Sequence, residues 1–160
     1  MKCYEGLSIF RVCYTPALIS LGISLRTPLP FLPSGPRTGF NPSSVLILGG
    51  SSAVCAAAIQ FLRLAIPEYT ILVTALQKHH NHLSTLGPTM TLDRSPLPAS
   101  LISDVKATTP CSFRVDAIID TIGAGSTERW IFDALSEKGA KRYAQVWTGD
   151  EEIEVPEGVD

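Results

Sequence analysis

The stretch that most limits what this chain can fold into is residues 44–65, SVLILGGSSAVCAAAIQFLRLA. A short apolar run, Ser44–Leu48, meets Gly49-Gly50, then two serines, then an apolar segment from about Ala53 to Ala65 that Pro67 cannot continue. The run reads as a strand and the segment as a helix, with Ser51 or Ser52 placed to cap it. A strand that turns directly into a helix commits the chain to a βαβ unit.

The rest of the chain repeats that alternation. TILVTA (70–75) reads as a second strand, followed by a polar helix over 78–85 closed by Gly87. TMTLD (89–93) is a weaker third strand, and Pro96 and Pro98 lead into a weak helix over 99–107. VDAIIDTI (115–122) is the clearest buried strand after the first. STERWIFDALSEKG reads as one helix, capped by Ser126 or Thr127, with Glu128 in its first turn and Gly139 as its stop. RYAQVW (142–147) is the last strand, and the acidic end, GDEEIEVPEGVD, shows neither helix nor core pattern. The expected fold class is α/β, a partial Rossmann-like doubly wound parallel sheet with helices on both faces.

Ahead of this unit, the uncharged run from Val12 to Leu25 is shorter than the ~20 residues of a membrane span. An amphipathic or buried helix is expected there, with no membrane association and a cytoplasmic location as the default. RTPLPFLPSGPRTGFNPS (26–43) is an irregular connector. The expected division is 1–43 for the helical segment and connector, 44–150 for an incomplete nucleotide-binding domain, and 151–160 for an acidic tail.

Composition narrows the function classes. The apolar fraction of 45% against 18% charged residues is that of a globular chain, and a net charge of −2 gives no basic face for nucleic acid. Cys3, Cys13, Cys55 and Cys111 form no CxxC pair, so free thiols are expected and no metal site. His79, His80 and His82 have no carboxylate or cysteine spaced with them, and read as the start of an exposed polar helix. Asp116 and Asp120, four apart, share one face of a strand. They are either a pair of acids or two carboxylates that separately meet backbone or solvent. Trp130 and Trp147 are expected in the core or at an interface.

In a doubly wound sheet the ligand crevice lies beyond the carboxyl ends of the strands. The first βα turn is therefore the place to look. A dinucleotide turn needs glycines for the bend and for close backbone approach, and a helix N-terminus offers N–H groups to the pyrophosphate. Gly49 and Gly50 supply the bend, Ser52 takes the middle place, and Cys55 stands where a third glycine is usual.

Taken together, these residues resemble the nucleotide-binding turn of the quinone oxidoreductase and enoyl reductase branch of the medium-chain dehydrogenase/reductase superfamily. There a Val-Leu-Ile strand runs into a Gly-Gly-Ser-Ser-x-Val-Gly turn and an Ala-Ile-Gln helix. TALQKHHNHLSTLGPTMTLD is similar to that branch's Thr-Ala-Ser stretch and Leu-Gly-Ala turn, and VDAIIDTIG to its Asp-x-x-x-Asp-x-x-Gly strand end. YTPALISLGISLRTPLP resembles its preceding helix and Pro-rich loop. The similarity covers most of 14–158 and is greatest to fungal-type and polyketide-associated enoyl reductases.

The resemblance implies a cofactor site at Gly49, Gly50, Ser51, Ser52, Val54, Thr74, Lys78, His79, Arg94, Asp120, Thr121 and Gly123. Leu76 stands where a serine touches the 2′-phosphate, Arg94 where a tyrosine is common, and Cys55 replaces a glycine. With no acid at the end of the second strand and Lys78-His79 just after it, NADP(H) is expected in preference to NAD. The resemblance also implies an oxidoreductase of enoyl reductase or zinc-binding-dehydrogenase-like type whose catalytic domain lies outside this chain. That makes the chain a truncated portion that would associate with a separate catalytic domain or form a homodimer. No catalytic residue is assignable. The alternative is a non-catalytic Rossmann-like module with weak or no nucleotide binding.

Overall fold

The computed structural model describes residues 10–27, 29, 43–95, 98–109, 114–146 and 153–160. Cys3, Cys111, Trp147 and most of the Pro-rich connector lie outside the described residues, as does the first part of the acidic end.

Five parallel strands form one sheet in the order β3-β2-β1-β4-β5. They are β1 (Ser44–Leu48), β2 (Thr70–Ala75), β3 (Met90–Asp93), β4 (Ala117–Asp120) and β5 (Arg142–Gln145). Side chains alternate strictly between two cores. Val45, Ile47, Ile71, Val73 and Ile119 face one of them, and Leu46, Leu48, Leu72, Leu92 and Ile118 the other. This is why β1 carries no polar alternation: both of its faces are covered.

The first core is roofed by α2 (Ala53–Ala65) and α3 (His80–Ser84), the latter entered through a 3-10 turn at Gln77–His79. Ala57, Ala58, Ile59 and Leu62 are the apolar face that α2 buries in this core. Against α2 packs the N-terminal helical run. Its α-helical centre is α1 (Thr15–Ile19), flanked by π-helical turns at Phe10–Tyr14 and Ser20–Ser24. Ala17, Leu21 and Leu25 are buried there, and the Tyr14 and Phe61 rings meet edge-on at 5.5 Å. The expected helical run is present, buried on one side while Val12, Ile19 and Ile23 are exposed.

The second core is roofed by α4 (Pro98–Thr108), through Leu101 and Val105, and by the segment after β4. The β1–β2 and β2–β3 crossovers thus lie on one face and the β3–β4 crossover on the other. That reversal opens a crevice at the carboxyl ends of β1 and β4.

Two elements differ from expectation. The single helix expected from Ser126 to Gly139 is instead a short α5 (Ala124–Thr127) and a 3-10 turn at Arg129–Ala134. Glu128 leaves helical geometry between them (φ −118°, ψ 68°), and Leu135 pairs in parallel with Val115. A continuous helix would have to give up that pairing, which returns the chain to the start of β4. The cap is Gly123, at φ +71°, and not Ser126 or Thr127.

The acidic end also differs, because residues 153–160 join the fold. The Tyr143 N–H donates to the Asp160 carbonyl at 2.7 Å, the Asp160 N–H to that of Lys141 at 2.9 Å, and Val159 packs on the second core. These contacts cover part of the edge that β5 would otherwise leave open.

Candidate functional site at the carboxyl ends of the strands

Strand register sets the level of the site. Leu48 is paired with Thr74 on one side and Asp120 on the other, while Ala75 is paired with Asp93. Gly49 and Thr121 therefore leave the sheet together, level with Ala75, which is still paired with Asp93.

Gly49 adopts φ +88°, and a Cβ there would come within 2.6 Å of Thr121 Oγ1. A Cβ on Gly50 would lie 2.6 Å from Val73 Cγ1 and 2.8 Å from Leu83 Cδ1. The first glycine is thus fixed by backbone sign and by β4, and the second by the close approach of the turn to β2. The Gly50 N–H donates to the Thr74 carbonyl at 2.8 Å and the Ser52 N–H to that of Gly49 at 2.9 Å, closing the turn.

Ser52 is the α2 cap, accepting from the Cys55 N–H at 3.0 Å. Its hydroxyl also lies 2.9 Å from Thr121 Oγ1. Thr121 already donates its own proton to the Leu48 carbonyl at 2.7 Å, so Ser52 is the donor between the two. The proton of the Ser52 hydroxyl and one of its two lone pairs are thereby used within the fold. Ser51 is exposed at the mouth of the turn. The N–H groups of Ala53 and Val54, in the first turn of α2, have no acceptor within the helix and point with its dipole toward the crevice. The Val54 side chain packs on the first core.

Cys55 is fully buried in that core among the apolar residues of β1 and α2, and burial pushes its thiol up to about 12. The side chain that replaces a glycine has therefore been absorbed as packing.

On the β2–β3 side, Thr74 is buried, Lys78 exposed and His79 half-buried. The ring of His80 lies 3.2 Å from the Ala75 carbonyl. Arg94 is exposed and paired with Glu128 at 2.8 Å. Thr74 lies directly against the glycine turn, its carbonyl accepting from the Gly50 N–H, and Arg94 enters the crevice already paired.

On the β4 side, Asp120 is fully buried. Its carboxylate accepts from the N–H of Ile122 at 3.0 Å, the N–H of Gly125 at 2.8 Å and the hydroxyl of Tyr143 at 2.8 Å. Tyr143 is raised above the ordinary phenol value, first by burial and then by the Asp120 carboxylate, so it stays a neutral donor. Asp116 sits apart, at the amino end of the sheet. There it accepts from the N–H and hydroxyl groups of Ser43 and Ser44 at 2.7–3.2 Å. The two aspartates are not a catalytic pair, and each meets its own donors. Sequence reasoning missed Tyr143 and Gly125. The available signal was strand alternation, which puts Tyr143, paired with Ile118, on the same face as Asp120.

Among the described residues, no group of three or more His, Cys, Asp or Glu side chains could hold a metal ion, and no helix is long and apolar enough to cross a membrane.

No protein-family model and no curated protein matches this chain. Solved structures do. AibC aligns at a TM-score of 0.70 with 16% identity, covering 94% of this chain and 40% of its own. The CurF ER cyclopropanase from the curacin A biosynthetic pathway gives 0.67 at 17% identity, covering 95% and 39%. The CurK enoyl reductase gives 0.62 at 18%, covering 84% and 36%. Alcohol dehydrogenases, one of them NAD-dependent, are among the others. The expected resemblance thus holds at the level of fold: the chain has the α/β Rossmann-like fold found in AibC, the CurF ER cyclopropanase, the CurK enoyl reductase and these alcohol dehydrogenases. It spans about 40% of the length of the first of them.

Proposed function

We propose that this chain is the cofactor-binding portion of an NADP(H)-dependent oxidoreductase of enoyl reductase type. The observation that carries this reading is the Gly49–Ser52 turn. It is held between β1, β2 and β4 in a conformation only glycine accepts at Gly49, and it delivers the first turn of a 13-residue helix to the reversal point of the sheet. Side chains and backbone there fit a pyrophosphate. The N–H groups of Ala53 and Val54 would hold it with the α2 dipole behind them, and the exposed Ser51 hydroxyl adds a donor. Lys78 supplies positive charge where the adenosine ribose would lie, with the His79 ring beside it in sequence, and no carboxylate ends β2, which favours a 2′-phosphate over a free 2′-hydroxyl. Asp120, Thr121 and Gly123 would wall the other half of the crevice. When bound, the cofactor supplies hydride chemistry. This chain's part is to bind, orient and partly shield it.

On this reading the substrate pocket and its catalytic groups would be supplied by a further joined segment or by an associated subunit. Two observations favour the alternative, a Rossmann-like module that binds nucleotide weakly or not at all. Ser52 has no proton left over to donate to a phosphate, and Arg94 is already paired with Glu128. Calorimetric titration of the chain with NADPH and NADH decides between them. Saturable binding with NADPH preferred supports the first reading, and no saturation below about 1 mM, an interaction weaker than about 4 kcal/mol, supports the second.

A further inference from the structure

Asp120 poses a problem that the Gly49 turn does not answer. A carboxylate with no solvent exposure is costly unless something holds its charge, and among the described residues no salt bridge reaches it. Its charge is held by three donors from three places: the β4–α5 turn (Ile122), the first turn of α5 (Gly125) and the next strand (Tyr143). Tyr143 reaches it only because residue 125 is glycine. A Cβ there would fall well inside van der Waals contact distance of the Tyr143 hydroxyl and lie 3.4 Å from Ile153 Cδ1. The Tyr143 ring is fixed in turn by Phe132, with centroids 5.1 Å apart. The result is a rigid ring of contacts around the turn Thr121–Gly123, whose last residue is left-handed at φ +71°. Gly125, Tyr143 and Asp120 converge on one turn at the carboxyl end of β4, the same turn whose Thr121 meets Ser52 and whose Ile122 abuts Gly49.

We infer that Asp120 and Tyr143 form a positioning clamp that sets the β4–α5 turn as the wall for the second, nicotinamide-bearing half of the dinucleotide. The inference rests on the cofactor reading above. In a doubly wound sheet each half of the strand set takes one mononucleotide, and the 2′-phosphate side belongs to the β1–β3 half. The clamp belongs to the β4–β5 half. It touches no reacting atom and acts through the backbone of Ile122, Gly123 and Gly125.

The test uses the full chain as wild type, Tyr143→Phe and Asp120→Asn, with NADPH and adenosine 2′,5′-bisphosphate as probes. Tyr143→Phe keeps the ring and removes one hydrogen bond to a charged acceptor, so NADPH binding is expected to weaken about tenfold. Binding of the bisphosphate, which contacts only the other half, is expected to stay within about twofold. Amide exchange at Ile122 and Gly125, followed without nucleotide, is expected to speed up about tenfold in Tyr143→Phe, while amides of β1 and β2 hold their rates. If Asp120→Asn folds, it shifts the same two readouts in the same direction. Equal weakening of both ligands, or unchanged exchange at Ile122 and Gly125, overturns the clamp and leaves the cofactor reading standing. A wild-type chain that binds neither ligand overturns the cofactor reading, and the clamp's role with it.

Discussion

Replacing Ser52 by alanine separates what the Gly-Gly-Ser-Ser turn does for the fold from what it does for a ligand. In the structure the Ser52 hydroxyl accepts from the Cys55 N–H at 3.0 Å and donates to Thr121 Oγ1 at 2.9 Å. Loss of a helix cap costs about 1 kcal/mol. Loss of the partly buried link to Thr121 costs about another 1 kcal/mol, because that oxygen keeps its bond to Leu48 and loses only the incoming donor. The expected destabilisation is about 2 kcal/mol, a fall in Tm of about 4–8 °C for a chain of this size. With a urea slope near 2 kcal/mol/M, the midpoint moves down by about 1 M. Two companion variants sharpen the result. Ser52→Thr keeps both roles and is expected within about 0.5 kcal/mol of wild type. Ser52→Asp keeps the acceptor and places a favourable charge at the α2 N-terminus, recovering about half the loss. The same charge opposes a phosphate, so Ser52→Asp should be folded and fail to bind NADPH, whereas Ser52→Thr should be folded and bind. Urea titration by far-UV circular dichroism together with calorimetry reads both effects. Ser52→Ala indistinguishable from wild type, or equally unstable with Ser52→Asp, refutes the assignment of Ser52 as cap and strand tie.

Other outcomes follow from the same contacts. Arg63 donates to the carbonyls of Gly87, Pro67 and Tyr69 and to Thr89 Oγ1, joining α2 to the loops before β2 and β3. Arg63→Ala is expected to cost about 2–3 kcal/mol in urea titration, since hydrogen bonds to a charged group are among the stronger ones. Arg94→Gln, which breaks an exposed ion pair, is expected to change stability by less than about 0.5 kcal/mol in the same titration. Gly50→Ala forces a Cβ against Val73 and Leu83 and is expected to destabilise by about 1–3 kcal/mol, read as a lower Tm. Burial raises Cys55, Tyr69 and Tyr143 above their unfolded values. Their contribution is therefore complete below about pH 8.5 and is lost as pH rises through the folded values. Stability measured from pH 8 to 11 should fall, and site-resolved thiol labelling at pH 8 should find the half-buried Cys13 reacting before Cys55.

The sequence alone determined the parallel α/β architecture, because the information is local: apolar runs at Ser44–Leu48, Thr70–Ala75 and Ala117–Asp120, and a glycine turn followed at once by a capped helix. The resemblance also implied Gly49, Gly50, Thr121 and Asp120 as parts of one cofactor crevice, and the strand register brings them to one level. Only the tertiary structure decided the rest. STERWIFDALSEKG has the caps and periodicity of one helix, yet Leu135 is taken by Val115 and the helix gives way to a 3-10 turn. The acidic end has no core pattern, yet Asp160 pairs with the β5 edge. Ser51 and Ser52 both offered a cap, and only the fold chose Ser52 and tied its proton to Thr121, while Cys55, which replaces a glycine in the turn, is a packed core residue. In each case the deciding partner lies far away in sequence. A residue's local preference, worth a few tenths to one kcal/mol, yields to a strand pairing, a buried contact or a second hydrogen bond that only the folded chain can supply.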